Sequence, residues 1–281
     1  MPIYDLGYRH WAGRWTSHPY RWWVITRQGI ALLIRRKLFV ALMFVSWIPF
    51  LVRAVMIYFS TVATGSLPSF MQVDASFFEN FLGQQMFFTF AIAIYAGAGL
   101  ISNDLKANAL QIYFAKPITR RDYFIGKLGV VIFFLTMPTL LPGLLLWILA
   151  LLFRADAQFF VQNAWLAAPI VGYSALIVFA YGLIILALSS LTKSSRFAGI
   201  NFAAVFLLTQ ILQAILSAIF RSSGLAWVSL RNNLFQLGAY LFHGVPEYHS
   251  PLWVSVVLLL VLMGGSAWLV NRRIQAVEVV S

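Results

Sequence analysis

The stretch "NDLKANALQIYFAKPITRRDYFIGK", Asn103–Lys127, is a polar segment enclosed by two long apolar ones. It carries five basic residues and one proline. The flanking apolar runs have about the 20 residues that an α-helix needs to cross the hydrocarbon core of a bilayer. Long apolar runs on both sides of a short charged segment indicate an all-α integral membrane protein.

The composition of the whole chain indicates the same class. Of its 281 residues, 61% are hydrophobic and only 10% are charged, whereas a soluble domain has about 25% charged residues. The absence of cysteine excludes disulfides, thiolate metal sites and cysteine nucleophiles. We expect no secretory signal peptide, because about 37 mostly polar or amphipathic residues precede the first long apolar run. The first span then acts as its own insertion signal.

Six apolar segments are long enough to span a membrane. We therefore predict a single transmembrane domain over residues 1–281, made of an N-terminal region (1–37), a six-helix part (38–270) and a tail (271–281). Prolines at Pro49, Pro138 and Pro142 are expected to kink the first and third spans. The predicted spans are Leu38–Phe59, Phe81–Ile101, Leu128–Phe153, Pro169–Leu191, Phe197–Phe220 and Leu252–Val270.

The basic residues predict the orientation of these spans. Most of the 20 Lys and Arg residues lie on the side that holds both termini and the quoted loop, and basic residues near membrane helices stay cytoplasmic. We expect a multi-pass protein of the plasma (cytoplasmic or inner) membrane with both termini cytoplasmic. The charge of +12 thus follows topology, and no nucleic-acid partner is expected. The residues on this side are Arg9, Arg14, Arg21, Arg27, Arg35, Arg36, Lys37, Lys106, Lys116, Arg120, Arg121, Lys127, Lys193, Arg196, Arg272 and Arg273.

The segment Arg21–Lys37, "RWWVITRQGIALLIRRK", has the pattern of a helix that lies in the headgroup plane. Basic and apolar side chains occupy opposite faces, and tryptophans are typical of the membrane interface, so membrane lipids are the expected partner. Ile25 is the exception to this pattern. The polar face holds Arg21, Gln28, Arg35 and Arg36, and the apolar face holds Trp22, Trp23, Ile30, Leu33 and Ile34.

The outer loop between the fifth and sixth predicted spans, Arg221–Pro251, is long and still hydrophobic. Its apolar stretches Ala226–Leu230 and Leu234–Phe242 are too short to cross a bilayer. We expect short re-entrant helices here, since backbone at that depth must be satisfied by protein or water.

The quoted loop divides at Pro117. Before it, Asn103 or Asp104 can cap a short helix running through "LKANALQIYF". The residue before proline avoids the helical region, which ends this helix. After it, Thr119 and Asp122 match the start signal of a second helix that continues into the third span. The loop is therefore a structured hairpin, although a solvated loop without a partner is the alternative.

The pattern of an acidic residue, a short helix and "PITRRDYFIGK" before a span resembles the membrane subunit of type-2 ATP-binding-cassette exporters. The six spans, the interfacial helix and the outer loop are similar as well. Where the family commonly has a glutamate and a following glycine, this chain has Asp104 and Asn108. The strongest local matches are Pro117, Arg120, Arg121, Tyr123, Gly126 and Lys127.

The resemblance implies that the short helix is a cytoplasmic coupling helix between spans 2 and 3, which docks into a groove of a separate ATPase. It also implies two permease copies, expected to be a homodimer, with two ATPase subunits. An additional envelope or periplasmic subunit is a further expectation. The expected docking residues are Asp104, Leu105, Lys106, Asn108, Ala109, Ile112, Tyr113, Phe114, Pro117, Arg120 and Arg121.

The chain contains no G-x-x-x-x-G-K-[ST] motif, so it lacks the loop that cradles nucleotide phosphates. We expect it not to be an enzyme and to bind no cofactor itself, with ATP and Mg²⁺ held by the partner ATPase. In the outer loop, His243, Glu247 and His249 have ligand-type side chains but lack a third histidine or a fixed helix, so we favour ordinary interfacial residues over a metal site.

Polar side chains within the spans are candidates for a translocation path. In the related family the second and fifth spans form this path, and amides in hydrocarbon face protein or water. Hydrogen bonding between helices without substrate contact is the alternative. The candidates are Gln84, Gln85, Tyr95, Asn201, Gln210, Gln213 and Ser217.

Two further features of the spans carry predictions. Ala93, Gly97 and Gly99 in "AIAIYAGAGLI" favour close helix packing. Arg53 lies towards the outer end of the first span and is expected to snorkel to the surface rather than to bind an anion.

The sequence thus favours a permease subunit that couples to a separate ATPase and exports a substrate, with a weak preference for an amphiphile. Mechanical action on an envelope partner is a variant of this function. The alternative is a membrane scaffold or a lipid-acting membrane enzyme without an ATPase.

Overall fold

A computed structural model describes residues 20–62, 72–114, 118–154, 157–221, 223–246 and 250–275. Over these residues the chain is helical and has no β-strand. Six helical stretches are long and apolar enough to cross a membrane, which confirms the predicted all-α membrane fold. They are Lys37–Thr61, Ala75–Lys106, Arg120–Arg154, Gln158–Leu191, Ser195–Phe220 and Leu252–Ile274.

Twelve α-helices are defined in this part of the chain, with 3₁₀ turns at Ala164–Leu166 and Ser223–Val228. The helices are α1 (Arg21–Ile34), α2 (Lys37–Val45), α3 (Ile48–Val62), α4 (Ala75–Lys106), α5 (Ala109–Phe114), α6 (Arg120–Thr136), α7 (Leu140–Arg154), α8 (Ala157–Asn163), α9 (Ala167–Leu191), α10 (Ser195–Phe220), α11 (Leu230–Leu241) and α12 (Leu252–Gln275). Below, the end of the bundle that holds α5 is called the α5 end.

The centre of the bundle is the pair formed by α4 and α9. Gly97 permits this close approach, since a Cβ atom there would lie 2.6 Å from the Ile185 side chain. Ser189 of α9 donates a hydrogen bond to the Ala98 carbonyl (2.8 Å) and accepts one from the Ser102 amide (3.0 Å). Small residues and a hydroxyl thus join the two helices, as is usual between helices in a membrane.

The first and third spans are both interrupted, as their prolines predict. The first breaks at Ser46–Trp47, just before Pro49, and the third breaks around Pro138. Proline is tolerated in the first turn of a helix, so a new helix can begin directly after each interruption. At the first break, Gln85 Nε2 donates to the Ser46 carbonyl at 3.1 Å, which satisfies a backbone group that the break leaves open.

Helix α1 packs along α6. A Cβ atom on Gly126 would lie 2.9 Å from the Trp22 carbonyl oxygen, so only glycine allows this separation. Thr26 Oγ1 donates to the Gly126 carbonyl at 2.9 Å. Ile25 is buried in this contact, which explains why it departs from the amphipathic pattern of the helix. The helix expected in Arg21–Lys37 is therefore present as α1 and is fixed to the third span, and its position at the membrane interface stays a prediction.

The predicted helix through "LKANALQIYF" is wrong in its first half. The α4 helix continues to Lys106, and α5 begins only at Ala109. Asn108 between them has φ of 51°, a left-handed conformation that Asn tolerates better than most residues. Neither Asn103 nor Asp104 caps the short helix, because both lie within the last two turns of α4.

The start of α6 agrees with the prediction. Thr119 Oγ1 accepts a hydrogen bond from the Asp122 amide (3.2 Å), and the Asp122 carboxylate accepts one from the Thr119 amide (3.0 Å). This reciprocal pair is a complete capping box. Pro117 lies outside the described residues.

Short helices lie at the end remote from α5. The connection between the third and fourth spans contains α8. The two short helices expected after the fifth span are present as the 3₁₀ turn Ser223–Val228 and as α11. Gln236 of α11 accepts hydrogen bonds from Ser250 (2.6 Å) and Ser255 (2.8 Å), which fixes α11 to the start of α12.

Candidate functional site

A buried polar cluster joins the ends of the second and third spans. The Lys127 ammonium of α6 lies 2.7 Å from Asp104 Oδ2 of α4. The Tyr123 hydroxyl donates to the same carboxylate oxygen at 2.8 Å. Tyr123 is fully buried and Lys127 is 7% exposed, so both groups depend on Asp104 for a partner. The cluster links two spans that the loop separates in sequence.

Helix α5 is attached to this cluster through aromatic side chains. The rings of Tyr113 and Tyr123 meet edge to face with centroids 5.3 Å apart, and Phe114 lies 6.2 Å from the Tyr123 ring. Lys127 Nζ lies 5.8 Å from the Tyr113 ring centroid. On the same short helix Leu110 is 1% exposed. A helix of six residues would not be stable alone, so these contacts hold it.

Tyr113 remains a neutral phenol in this position. Burial, and secondly the negative charge of Asp104, raise the pKa of Tyr113 above its ordinary value. The ring thus contributes packing and a neutral hydroxyl, without a charge, at neutral pH.

The opposite side of α5 faces outward. Ile112 is 65% exposed, and Lys106, Asn108 and Gln111 are exposed as well. We call these four residues the outer face of α5, although Lys106 is the last residue of α4 and Asn108 lies just before α5. Arg121 at the start of α6 is also exposed.

The predicted docking residues therefore divide into two groups. Lys106, Asn108, Ile112 and Arg121 are exposed, whereas the others in the described part of the chain are half-buried. Sequence reasoning missed Gln111 on the outer face, although its spacing from Asn108 is helical. The half-buried group consists of Asp104, Leu105, Ala109, Tyr113, Phe114 and Arg120.

A small basic pocket of about 350 Å³ lies beside the outer face of α5. Its charged residues are Lys106, Lys193 and Arg196, the last two from the start of the fifth span. Asn103 also lines it. The potential here is positive, which favours a carboxylate of a partner.

A larger cavity of about 900 Å³ lies at the α5 end between α1, α4 and α10. Its polar lining includes Arg36, Tyr95, Asn103 and Arg196, and its apolar wall includes Ile94. The Arg36 guanidinium lies 5.9 Å from the centre of the Tyr95 ring. Of the predicted path residues, Tyr95 therefore lines an amphipathic cavity.

A third cavity, of about 620 Å³, lies at the opposite end between α3 and α4. Gln84 lines it together with Arg53. The Arg53 side chain reaches towards the end of the span, as expected of a snorkelling arginine, but its Nη1 donates to the Phe77 carbonyl at 2.7 Å.

The other predicted path residues lie apart from these cavities. Gln85 of α4 is buried against the first span, where its amide donates to the Ser46 carbonyl. Gln210 accepts a hydrogen bond from Ser229 at 2.6 Å. Gln213 is buried, Ser217 is half-buried and Asn201 is exposed on α10. Within one chain the seven candidates do not line a common cavity. Gln85 and Gln210 instead show the helix-to-helix and helix-to-loop bonding that was the alternative.

The histidine-containing outer loop shows only one of its three ligand-type residues. The His243 ring stacks on Trp165 with centroids 4.9 Å apart. Glu247 and His249 lie outside the described residues.

The fold defines a multi-pass membrane protein in which a short helix is held between the second and third spans. A sequence model of the ABC-2 family transporter proteins matches residues 23–225, well over half of the chain. The chain belongs to this family and is a permease component of an ABC transporter, so it is a membrane component and not the ATPase. No curated protein sequence matches it.

Proposed function

We propose that the outer face of α5 docks onto a separate ATPase and passes its movement to the second and third spans together. The observation that carries this proposal is the cluster of Asp104, Tyr123 and Lys127. It ties the end of α4 to α6, while Tyr113 and Leu110 tie α5 to both. A force on α5 is then transmitted by packed side chains instead of being lost in a loose loop.

The chemistry of the docking surface indicates its partner. Ile112 offers one exposed apolar contact on α5, Arg121 is exposed at the start of α6, and Lys106 lines a basic pocket together with Lys193 and Arg196. A complementary ATPase groove would present an apolar pocket with a rim of Asp and Glu. Such charge pairs would mainly set the specificity and rate of docking.

The α5 end is assigned to the cytoplasm. The described basic residues concentrate at this end, in α1, the α5 hairpin, the start of α10 and the end of α12, and basic residues near spans stay cytoplasmic. The protein then lies in the plasma or inner membrane with both termini inside, where the ATPase has access to ATP and Mg²⁺.

The assembly is proposed to contain two copies of this chain and two ATPase subunits. The face of α10 that holds Asn201 is exposed and strongly apolar, with Leu208 and Ile215 also exposed. Such a face packs either on lipid or on a second copy. A homodimer would place the two copies of α10 near the transport path, and an envelope subunit could join at the outer end.

The proposed substrate is an amphiphile moved from the inner to the outer side. The cavity of about 900 Å³ opens beneath α1 and combines apolar walls with Arg36 and Arg196. Ligand sites of this kind are mostly apolar with a few placed polar groups.

The test is a pull-down with an ATPase subunit of an ABC transporter, with Ile112→Glu as the variant. We expect binding to fall about tenfold or more. The variant places a negative charge where docking would bury the Ile112 side chain in a groove with an acidic rim. Val245→Glu is the matched control, since Val245 is 94% exposed near the opposite end of the bundle.

Deletion of 106–114 is the stronger variant. ATPase binding that survives both the deletion and Ile112→Glu would refute docking through α5. Lipid chemistry by the purified protein without nucleotide would favour the alternative function of a membrane enzyme.

A further inference from the structure

Arg53 is a charged residue placed deep within a membrane span. It lies about 16 residues beyond Lys37 along the first span, which corresponds to about 24 Å of helix. The span reaches Thr61, so Arg53 lies in the half of the bundle remote from α5. Charged side chains at such positions are costly and usually mark a function.

The protein satisfies Arg53 only in part. Its Nη1 donates to the Phe77 carbonyl (2.7 Å), and its guanidinium lies 4.6 Å from the Phe77 ring centroid and 6.0 Å from that of Phe81. A guanidinium has five N–H donors. The Phe77 carbonyl and the two aromatic rings therefore leave some N–H donors of the guanidinium without an acceptor, and they supply no negative charge.

No carboxylate in the described part of the chain forms an ion pair with Arg53. Asp74 is the acidic residue nearest to Arg53 in sequence, and it is the N-cap of α4. Its Oδ1 accepts hydrogen bonds from the Phe77 amide (2.9 Å) and from Ser76 Oγ (2.8 Å). Glu79 lies against Gly244. Among the described residues, no carboxylate neutralises the positive charge of Arg53.

The cavity of about 620 Å³ beside Arg53 has two kinds of lining. Side chains able to donate hydrogen bonds to an anion come from α4, at Asn80 and Gln84. Apolar side chains come mainly from α3, where Ile48 and Val52 are about half exposed. A head group and a hydrocarbon chain could be held at the same time.

We propose that this cavity binds the anionic group of a membrane amphiphile, a phosphate or carboxylate, with Arg53 as its counter-ion. Asn80 and Gln84 donate to the same group, and the hydrocarbon chain lies along Ile48 and Val52. The site belongs to the leaflet opposite α5. This inference goes beyond the docking of an ATPase and does not depend on it.

The experiment measures retained lipid on the full-length protein. The purified protein is exchanged into phosphatidylglycerol or phosphatidylcholine, stripped stepwise with detergent, and the bound lipid is counted by native mass spectrometry. A third sample receives inorganic phosphate alone. No nucleotide or ATPase is present, so failure here is separate from failure of the pull-down.

We expect the wild type to retain phosphatidylglycerol in preference to phosphatidylcholine. Arg53→Gln should weaken this retention about tenfold or more, since hydrogen bonds to a charged group are among the strongest in a protein. Arg154→Gln is the matched control and should behave as the wild type. Arg154 also lies against an aromatic ring, Phe159 at 4.5 Å, but at the far end of the third span.

Equal retention by Arg53→Gln and the wild type overturns the proposal. Tight binding of inorganic phosphate without lipid also overturns it, because the ligand would then be a free anion. If Arg53→Gln does not fold, the double variant Asn80→Leu with Gln84→Leu decides the question. It leaves the bond from Arg53 to Phe77 in place, and it should still lose the preference for phosphatidylglycerol.

Discussion

The carboxylate of Asp104, near the end of the second span, is bonded at once to the ammonium of Lys127 and to the hydroxyl of Tyr123 at the start of the third. One side chain of α4 thus holds two of α6. Because α5 packs on Tyr123, this single carboxylate also determines where the short helix lies. The first two predictions concern this cluster.

Replacement of Asp104 by Asn should destabilise the protein strongly. Lys127 would remain buried without a counter-charge, and breaking a buried pair in this way costs about 3–5 kcal/mol. We expect a clear fall in the thermal unfolding midpoint in detergent. Asp122→Asn is the control, because it removes a negative charge from the first turn of α6 but keeps an oxygen that can accept from the Thr119 amide, and it should cost at most about 1 kcal/mol. Equal losses in the two variants would contradict the role of the cluster.

Tyr123→Phe tests the hydroxyl alone. The ring contacts with Tyr113 remain, but the bond to the Asp104 carboxylate is lost, which costs about 1.5–3 kcal/mol for a charged acceptor. We expect a lower unfolding midpoint together with weaker transport-coupled ATP hydrolysis when the ATPase is present. An unchanged midpoint would show that the hydroxyl contributes little.

Gly126→Ala should separate α1 from α6. The new Cβ would lie 2.9 Å from the Trp22 carbonyl oxygen, and an overpacked contact of this kind costs about 1–3 kcal/mol. Gly264→Ala is a close control, since no atom lies within 4 Å of the position that its new methyl group would take and alanine favours a helix. Thermal unfolding should fall for the first variant and stay equal or rise for the second.

Gln85→Leu should destabilise the protein at the helix break of the first span. Its amide donates to the Ser46 carbonyl at the helix break, and an unsatisfied buried carbonyl costs about 1–3 kcal/mol. The neighbouring Gln84→Leu changes a side chain that faces the cavity and should leave stability nearly unaltered. The comparison is made by thermal unfolding, and a reversed order of the two variants would refute the assignment.

Much of this fold can be predicted from the sequence. Apolar runs of membrane length and the Thr119–Asp122 capping box depend on residues close in the chain, and both were predicted correctly. Pro49 and Pro138 also act locally, so the interruptions they cause were expected.

The tertiary contacts were harder to predict. Aspartate is a residue type that often caps helices, which made Asp104 a plausible cap in the sequence. Only the fold brings it to Lys127, 23 positions later. Ile25 looked out of place because periodicity alone treats the polar face of α1 as facing water, whereas Ile25 on that face packs against Gly126 of α6. The incomplete partnering of Arg53 likewise depends on α4, which no local pattern reveals.

The interruption around Pro138 divides the third span into two helices, α6 and α7, which both pack on α9. Helix α6, which begins at Arg120, is also joined to α1 and carries the α5 hairpin, whereas α7 also packs on α3. If α5 docks as proposed, a force on it would therefore move α6 and α1 together, and the turn around Pro138 would be the point at which α7 can bend away from them.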